Sequence, residues 1–407
     1  MRTLLQITAM VNSGSVGRIA EEIGELVIAN GWQSYIAYGR KARTSKSELI
    51  RIGAERDVKL HGIKTRLFDK HGFGSQKATR RLIERLEEIR PDIVHLHCIH
   101  GYYINMEILF DYLAKVEIPV VWTMHDCWAM TGHCVHFENI GCDKWKNGCY
   151  SCPNKTGYPG SMLLDNSRSN YNQKKRLFSS VDKLTIVSVC DWLARLLSKS
   201  FLKEKDIRVI YNGINTDVFS PKKPSEEMKN RLGIKDEFVI LAVSNGWNQT
   251  KGLDDLIEFG RNLEPNTKLV IVGLSSRQNK DLPKQITAVE RTESVKQLAE
   301  LYSLADVLIN PTYQDTLPTV NIEAIACGTP VVTYRTGGSA DIIDEKSGYV
   351  VDMGDMEGLK EAISEVRKKG KEAYSNHCRK RALGMFRKEE RFAEYLSLYN
   401  DLSFSNQ

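Results

Sequence analysis

An α/β fold with two open, doubly wound parallel sheets is the class this chain predicts. Short apolar strands alternate with helix-period segments through both halves, which implies parallel sheets covered on both faces. The length, 407 residues, suits two domains that each bury a core. Polar, glycine-bearing loops follow the strand ends, where ligands of such sheets bind.

In the first half, residues 4–11 read as a buried strand, 12–17 as a loop, and 18–29 as a helix stopped at Gly31. Further strands are expected at 34–38, 92–97, 119–124 and 184–189, with helices such as 78–89 and 106–114 between them. Residues 207–221 read as a strand, a tight Asn212-Gly213 turn and an exit at Pro221, taken as the interdomain crossing. The expected division is 1–206 and 207–385. The second half repeats the alternation with strands at 238–244, 269–273, 307–310, 331–334 and 349–352. A helix-period tail, 386–407, carries Phe392, Leu396 and Tyr399 on one face and can pack on either domain, the first included. Two sheets joined by a linker leave a central cleft between them.

Hydrophobic content of 42% and charged content of 27% are those of a globular protein. No apolar run is long enough for a membrane span, and the opening residues lead into a strand, so a cytoplasmic chain is expected. The net charge of +6 fits an anionic small substrate or anionic lipid headgroups, and is too small to argue for nucleic acid.

The most informative stretch is 314–330. A loop with Asp315 runs into a helix opened by Pro318, Glu323 sits in its second turn, and Gly328 closes it. The helix start, with Thr316, Leu317, Pro318 and Thr319, offers free N–H groups and a positive dipole end for phosphate. Glu323, one step away, suits the hydroxyls of a ribose, so the pattern fits a nucleotide sugar. Lys251 before Gly252, at a strand-to-helix turn, suits phosphate; the plain alternative is a surface lysine.

With these residues and the Asn212-Gly213 turn, the chain resembles the retaining glycosyltransferases of family 4, which have the GT-B fold of two Rossmann-like domains. Segments 12–22, 68–81, 94–105 and 125–134 resemble the branch that builds colanic-acid-type exopolysaccharide. The resemblance spans essentially the whole chain, and implies a nucleoside-diphosphate sugar as donor and a saccharide, commonly lipid-linked, as acceptor. It assigns the first domain to the acceptor and the second to the donor. Catalysis then needs no metal and no other cofactor, because the departing phosphate takes the acceptor proton. It also gives Glu323 the ribose and the loop at Asp315–Pro318 the sugar and diphosphate, and it runs Gly337 and Gly338 near the diphosphate. His125 is implied over the donor sugar, while His97, His100 and Asp126 fall at strand ends on the acceptor side. Gly14, Gly17 and Arg18 form a glycine loop for close passage of acceptor or donor phosphate, or a simple tight turn.

Two departures stand out. The family's first Glu is Asp315 here, with a shorter reach, and its diphosphate Arg, five residues before the Lys, is Gly246. Arg277 and Arg335 are the nearest replacement cations. These departures keep a second reading in view, a catalytically silent scaffold binding lipid-linked saccharide or partner transferases. A nicotinamide-dependent enzyme ranks lower, because Gly14 and Gly17 lack the three-glycine fingerprint and the second strand ends without an acidic ribose ligand.

Nine cysteines are present, four of them clustered: Cys134, Cys142, Cys149 and Cys152, the last two as C-x-x-C. Structural zinc and packed reduced thiols are both open readings, with His133 and His136 as substitute ligands. The basic run 64–81, with Lys64, Arg66, Lys70, Phe68 and Phe73, is either a solvated face or a contact to the inner face of a membrane. For 192–202 the core reading is preferred over a membrane one.

Overall fold

Residues 3–11 carry apolar side chains on both faces of an extended segment, so the segment must be covered from both sides. The computed structural model, which describes residues 1–283 and 285–404, places it inside a sheet with seven of its nine side chains buried. Two units are formed: Met1–Ile210 together with the tail from Arg391, and Tyr211–Glu390.

The first unit has seven strands: β1 (Thr3–Val11), β2 (Gln33–Ala42), β3 (Glu48–Arg51), β4 (Ile93–Leu96), β5 (Val120–Met124), β6 (Leu184–Ser188) and β7 (Asp206–Val209). All pair in parallel, in the order β3-β2-β1-β4-β5-β6-β7. The edge strand β3 carries mostly exposed side chains, and no apolar run marks it in the sequence. The strand at the expected crossing, β7, pairs with β6 and so lies in this unit.

The tail helix Lys388–Phe404 follows helix Glu372–Phe386 after a break at Arg387, whose extended backbone ends the first helix. Its Phe392, Tyr395, Leu398 and Tyr399 enter the same core as Leu4, Ile93, Val121 and Val187. Burial of each such side chain contributes about 2 kcal/mol. The tail is also keyed by hydrogen bonds: Tyr399 Oη lies 2.6 Å from His95 Nδ1, and Thr123 Oγ1 donates to Tyr395 Oη at 3.1 Å. Residues 405–407 of the expected tail lie outside the described residues.

The second unit has six parallel strands: β8 (Phe238–Val243), β9 (Thr267–Val272), β10 (Ile286–Val289), β11 (Val307–Asn310), β12 (Val331–Tyr334) and β13 (Gly348–Val351). Their order is β10-β9-β8-β11-β12-β13. The strands β8, β11 and β12 are therefore neighbours, and the loops at their carboxyl ends meet. Gly213 sits where the backbone of Lys388 passes: a Cβ there would come within 2.4 Å of Lys388 Cα. That close approach, sealed by Ile214 N–H to Phe386 O and Lys388 N–H to Ile214 O, explains the Asn212-Gly213 turn. The segment 192–202 is a packing element: helix Asp191–Leu197 and the turn after it bury Leu193, Leu197 and Leu202 fully.

Candidate functional site

Three loops of the second unit converge on Asp315. After β8, the side chain of Asn248 accepts from the Lys251 N–H at 3.0 Å and from Thr250 Oγ1 at 2.8 Å, which folds Gln249–Lys251 into a tight turn. Gly252 follows at φ +76, and a Cβ there would meet Pro311 O at 2.1 Å, so the turn lies against the loop after β11. Across this contact Lys251 Nζ donates to Asp315 Oδ2 at 2.7 Å and to Gln314 O at 3.0 Å. The side chains of this pair keep 32% and 27% exposure, so a ligand can reach both charges. The loop after β12 completes the floor. Gly337, at φ +53, places its Cα so close that a Cβ would stand 1.8 Å from Asp315 O, and Gly338 N–H donates to Thr316 O at 2.8 Å. Beside it the hydroxyls of Thr336 and Ser339 are fully buried and have no hydrogen-bond partner among the described residues.

The helix expected from the sequence spans Thr319–Ala326, with Pro318 as its N-cap instead of its first helical residue. Proline offers no side-chain acceptor at the cap, so the first N–H groups keep their capacity for an incoming anion. Leu317 is buried beneath this start. In the second turn, half-buried Glu323 accepts a hydrogen bond from Tyr302 Oη at 2.8 Å. Burial and the Glu323 carboxylate hold the Tyr302 phenol well above its ordinary pKa, so it remains a donor. Nothing local in the sequence announces Tyr302; it arrives on helix Val295–Leu304.

The vacancy in the family's cation pattern has a backbone cause. Gly246 stands at φ +139, a conformation that favours glycine, although a Cβ there would meet nothing within 4 Å. An arginine at this position is disfavoured by the backbone and not by crowding. Of the two replacement candidates, Arg335 Nε is directed to Asp352 Oδ1 at 3.2 Å, and Arg277 is exposed.

In the first unit the strand ends of β4 and β5 bring four predicted residues around one void of about 10 Å³: His97, His100, His125 and Asp126. That space admits a single water and no sugar. His97 is buried and consumed by its neighbours, with Gln6 Oε1 3.0 Å from Nε2 and His125 Nε2 3.4 Å from Nδ1. Burial lowers the His125 pKa to about 4, so its ring is neutral near pH 7. His100 behaves oppositely: burial works against its charge, yet the Asp126 carboxylate 2.7 Å away and the Cys98 thiol raise it to about 10. Asp126 in turn is held to about 2, burial being outweighed by His100 and by the Trp128 N–H. Cys98, which the sequence marks only as a scattered thiol, completes a trio with His100 and Asp126 whose donor atoms lie within 4.8 Å of one another.

Gly14 and Gly17 sit in the first turn of helix Gly14–Ala29, and Arg18 is exposed beside them. Gly17 has a packing reason: a Cβ there would come 2.8 Å from Met10 O, so only glycine lets the helix start rest on the end of β1. The clustered cysteines Cys134, Cys142, Cys149 and Cys152 are free thiols that line one small cavity. His133, expected as a substitute ligand, is otherwise engaged: its Nδ1 lies 2.6 Å from Asp69 Oδ1.

A carboxylate and an ammonium on converging loops at the carboxyl ends of a parallel sheet, repeated α/β units, and a helix-borne glutamate are the arrangement expected of a glycosyltransferase of the GT-B fold. The chain belongs to that family: residues 16–218 match glycosyltransferase family 4, and residues 224–383 match the glycosyl transferases group 1. Among curated relatives it is 23% identical over 373 residues to the chain described as the colanic acid biosynthesis glycosyl transferase WcaC of Escherichia coli K12, covering 86% of this chain and 87% of that one. Its fold is similar to that of sucrose-phosphate synthase from Thermosynechococcus elongatus, with TM-score 0.73, 17% identity and full coverage of both chains. It is also similar to Anabaena HepE in complex with UDP-glucose, with TM-score 0.64, 14% identity, and 98% and 100% coverage.

Proposed function

We propose that this glycosyltransferase moves a sugar, of hexose type, from a nucleoside diphosphate to a hydroxyl of a saccharide acceptor in bacterial surface or exopolysaccharide synthesis, with retention at the anomeric carbon. The observation that carries the reading is the Lys251–Asp315 pair at the mouth of the phosphate-suited helix, with Glu323 one turn deeper. Leaving-group charge develops on the diphosphate, and donors already aimed there lower the barrier most. Lys251 Nζ and the N–H groups of Thr316, Leu317 and Thr319 are those donors. When the diphosphate takes over Lys251, Asp315 is released toward the sugar hydroxyls. Glu323, held by Tyr302, accepts from the ribose. The departing phosphate oxygen receives the acceptor proton, so no side-chain base and no metal ion is required by this scheme. In the first unit Gly14, Gly17 and Arg18 are assigned to close passage of acceptor or donor phosphate; in the second, Gly337 and Gly338 lie beneath the Asp315 loop. His125, neutral at pH 7, and the His100–Asp126 pair are assigned to sugar hydroxyls at the rim of the β4 and β5 strand ends, with buried His97 positioning His125.

A lipid-linked acceptor places the chain at a membrane surface, and no helix among the described residues is long and apolar enough to cross one. Helix Glu55–Phe68 exposes Leu60, Ile63 and Phe68, and Met162–Leu164 is joined to it through Met162 N–H to Arg66 O at 2.7 Å. Exposed Lys64 and Arg66 rim these apolar side chains, a combination suited to anionic lipid. Co-sedimentation with vesicles containing anionic lipid is expected for the chain and lost in Ile63→Glu and Leu163→Glu.

The deciding experiment offers UDP-, GDP- and ADP-sugars to the chain with lipid-linked saccharide acceptors. Nucleoside diphosphate release and an NMR-assigned product of retained configuration are expected. Donor binding without turnover across the panel would favour the silent-scaffold reading, and an inverted product would refute retention.

A further inference from the structure

We propose that Cys134, Cys142, Cys149 and Cys152 bind one structural zinc ion that staples the segment between β5 and helix Ser167–Ser179. Three short 3₁₀ turns are all the regular structure in this segment: Trp128–Met130, Glu138–Ile140 and Lys144–Lys146. A connection so long inside an ordered unit needs an organiser beyond its own backbone hydrogen bonds. The four thiols are among the residues lining one space of about 20 Å³, enough for one atom-sized ligand and far too small for a sugar. Phe137 and Trp145 close its side, their rings stacked with centroids 5.1 Å apart.

The surroundings of the sulfurs are those a thiolate cluster needs. Gly132 N–H donates to Cys149 Sγ at 3.2 Å. The carbonyl of that same peptide group, Thr131 O, accepts from Lys174 Nζ at 3.0 Å. Lys174 is 1% exposed, its ammonium also donates to Trp128 O at 2.7 Å and stands 3.5 Å over the Trp128 ring, and no carboxylate lies within 4.0 Å of it among the described residues. A buried cation without an acidic partner is costly. Zinc bound by four thiolates carries a net charge of −2 after the thiols release their four protons. Lys174 offsets part of that charge through space and by polarising the Thr131–Gly132 peptide toward Cys149.

Four sulfur donors select zinc over harder cations. His133 does not compete, since both ring nitrogens are engaged, one with Asp69 and the other with Gly157 O at 3.4 Å. The trio Cys98, His100 and Asp126 is more closely gathered, but a metal there would have to break the 2.7 Å His100–Asp126 ion pair. Zinc–sulfur bonds of about 2.3 Å place sulfurs about 3.8 Å apart. Reaching that spacing draws the two turns at Glu138–Ile140 and Lys144–Lys146 inward.

The test is independent of donor chemistry. The full chain, purified reduced and without chelator from zinc-supplied cells, is expected to hold about one zinc by elemental analysis. An organomercurial titration read with a chromogenic chelator should release that zinc as four thiols react. Cys149→Ser and Cys152→Ser should lose it, and Cys378→Ser, in the other unit, should keep it. Lys174→Met should weaken zinc affinity by about tenfold or more in chelator competition. Zinc well below one per chain, release unlinked to the four thiols, or a Cys149–Cys152 disulfide in anaerobically isolated protein would overturn the proposal. If the serine variants do not fold, release from the unaltered chain decides it.

Discussion

Lys251 Nζ rests 2.7 Å from Asp315 Oδ2, joining a turn after β8 to a loop after β11 across 64 positions of sequence. The pair keeps an ammonium positioned and reachable before a donor arrives. On the mechanism above, Lys251→Ala lowers kcat by about 10²–10³-fold, the cost of removing one preorganised donor to leaving-group charge. Lys251→Arg should recover part of the loss. Steady-state kinetics with the preferred donor provide the check; unchanged turnover in Lys251→Ala would remove this residue from the chemistry.

Glu323 accepts a hydrogen bond from the Tyr302 phenol at 2.8 Å. Glu323→Gln replaces a charged acceptor with a neutral one and should weaken donor binding about 10-fold or more, as for loss of a charge-assisted hydrogen bond. Tyr302→Phe leaves the carboxylate in place without its anchor, so a smaller loss is expected. Calorimetric titration with the nucleoside diphosphate separates the two. Equal, undiminished affinities would contradict the ribose assignment.

At Gly337 a methyl group has nowhere to go. Its φ of +53 and the 1.8 Å approach to Asp315 O mean that Gly337→Ala must push the Asp315 loop outward. The expected result is a stability loss of about 1–3 kcal/mol with kcat/KM falling at least tenfold. A crystal structure or paired denaturation and kinetic measurements would show whether loop and activity move together.

Stability should fall as pH drops below 6.5. Below that value unfolded imidazoles take up protons that folded His95 and His125 refuse until about 3 and about 4, because burial disfavours their charge. Each binds fewer protons when folded, so acid destabilises the fold. His100 works the other way: raised to about 10 against its burial by Asp126, its contribution is complete below 6.5 and fades as pH rises toward 10. Asp126 contributes above 3.8 and loses its share only as pH falls through about 2. Urea midpoints at pH 5, 6.5 and 8.5 are the measurement, and a midpoint that rises toward pH 5 would contradict this balance.

The alternation of strands and helices, the buried character of β1 and β5, and the Pro318–Gly328 boundaries of the Glu323 helix were all legible in order along the chain, since each is written in a local period or a local backbone preference. Residues 48–51 and 286–289 were not, because each is a four-residue edge strand, the first mostly exposed and the second half-buried at its centre, too short to show a period. The sequence also named Lys251, Asp315 and Glu323, each from its own neighbours. What folding alone decided is which of these touch: β8 lies beside β11, and β11 beside β12, so Lys251 meets Asp315 and Gly337 seats under it. The Tyr302–Glu323 bond, the Cys98–His100–Asp126 trio and the Lys174 ammonium beside the cysteine loop likewise join separate elements. Local periodicity carries no record of strand order, and contacts across tens of residues follow from that order.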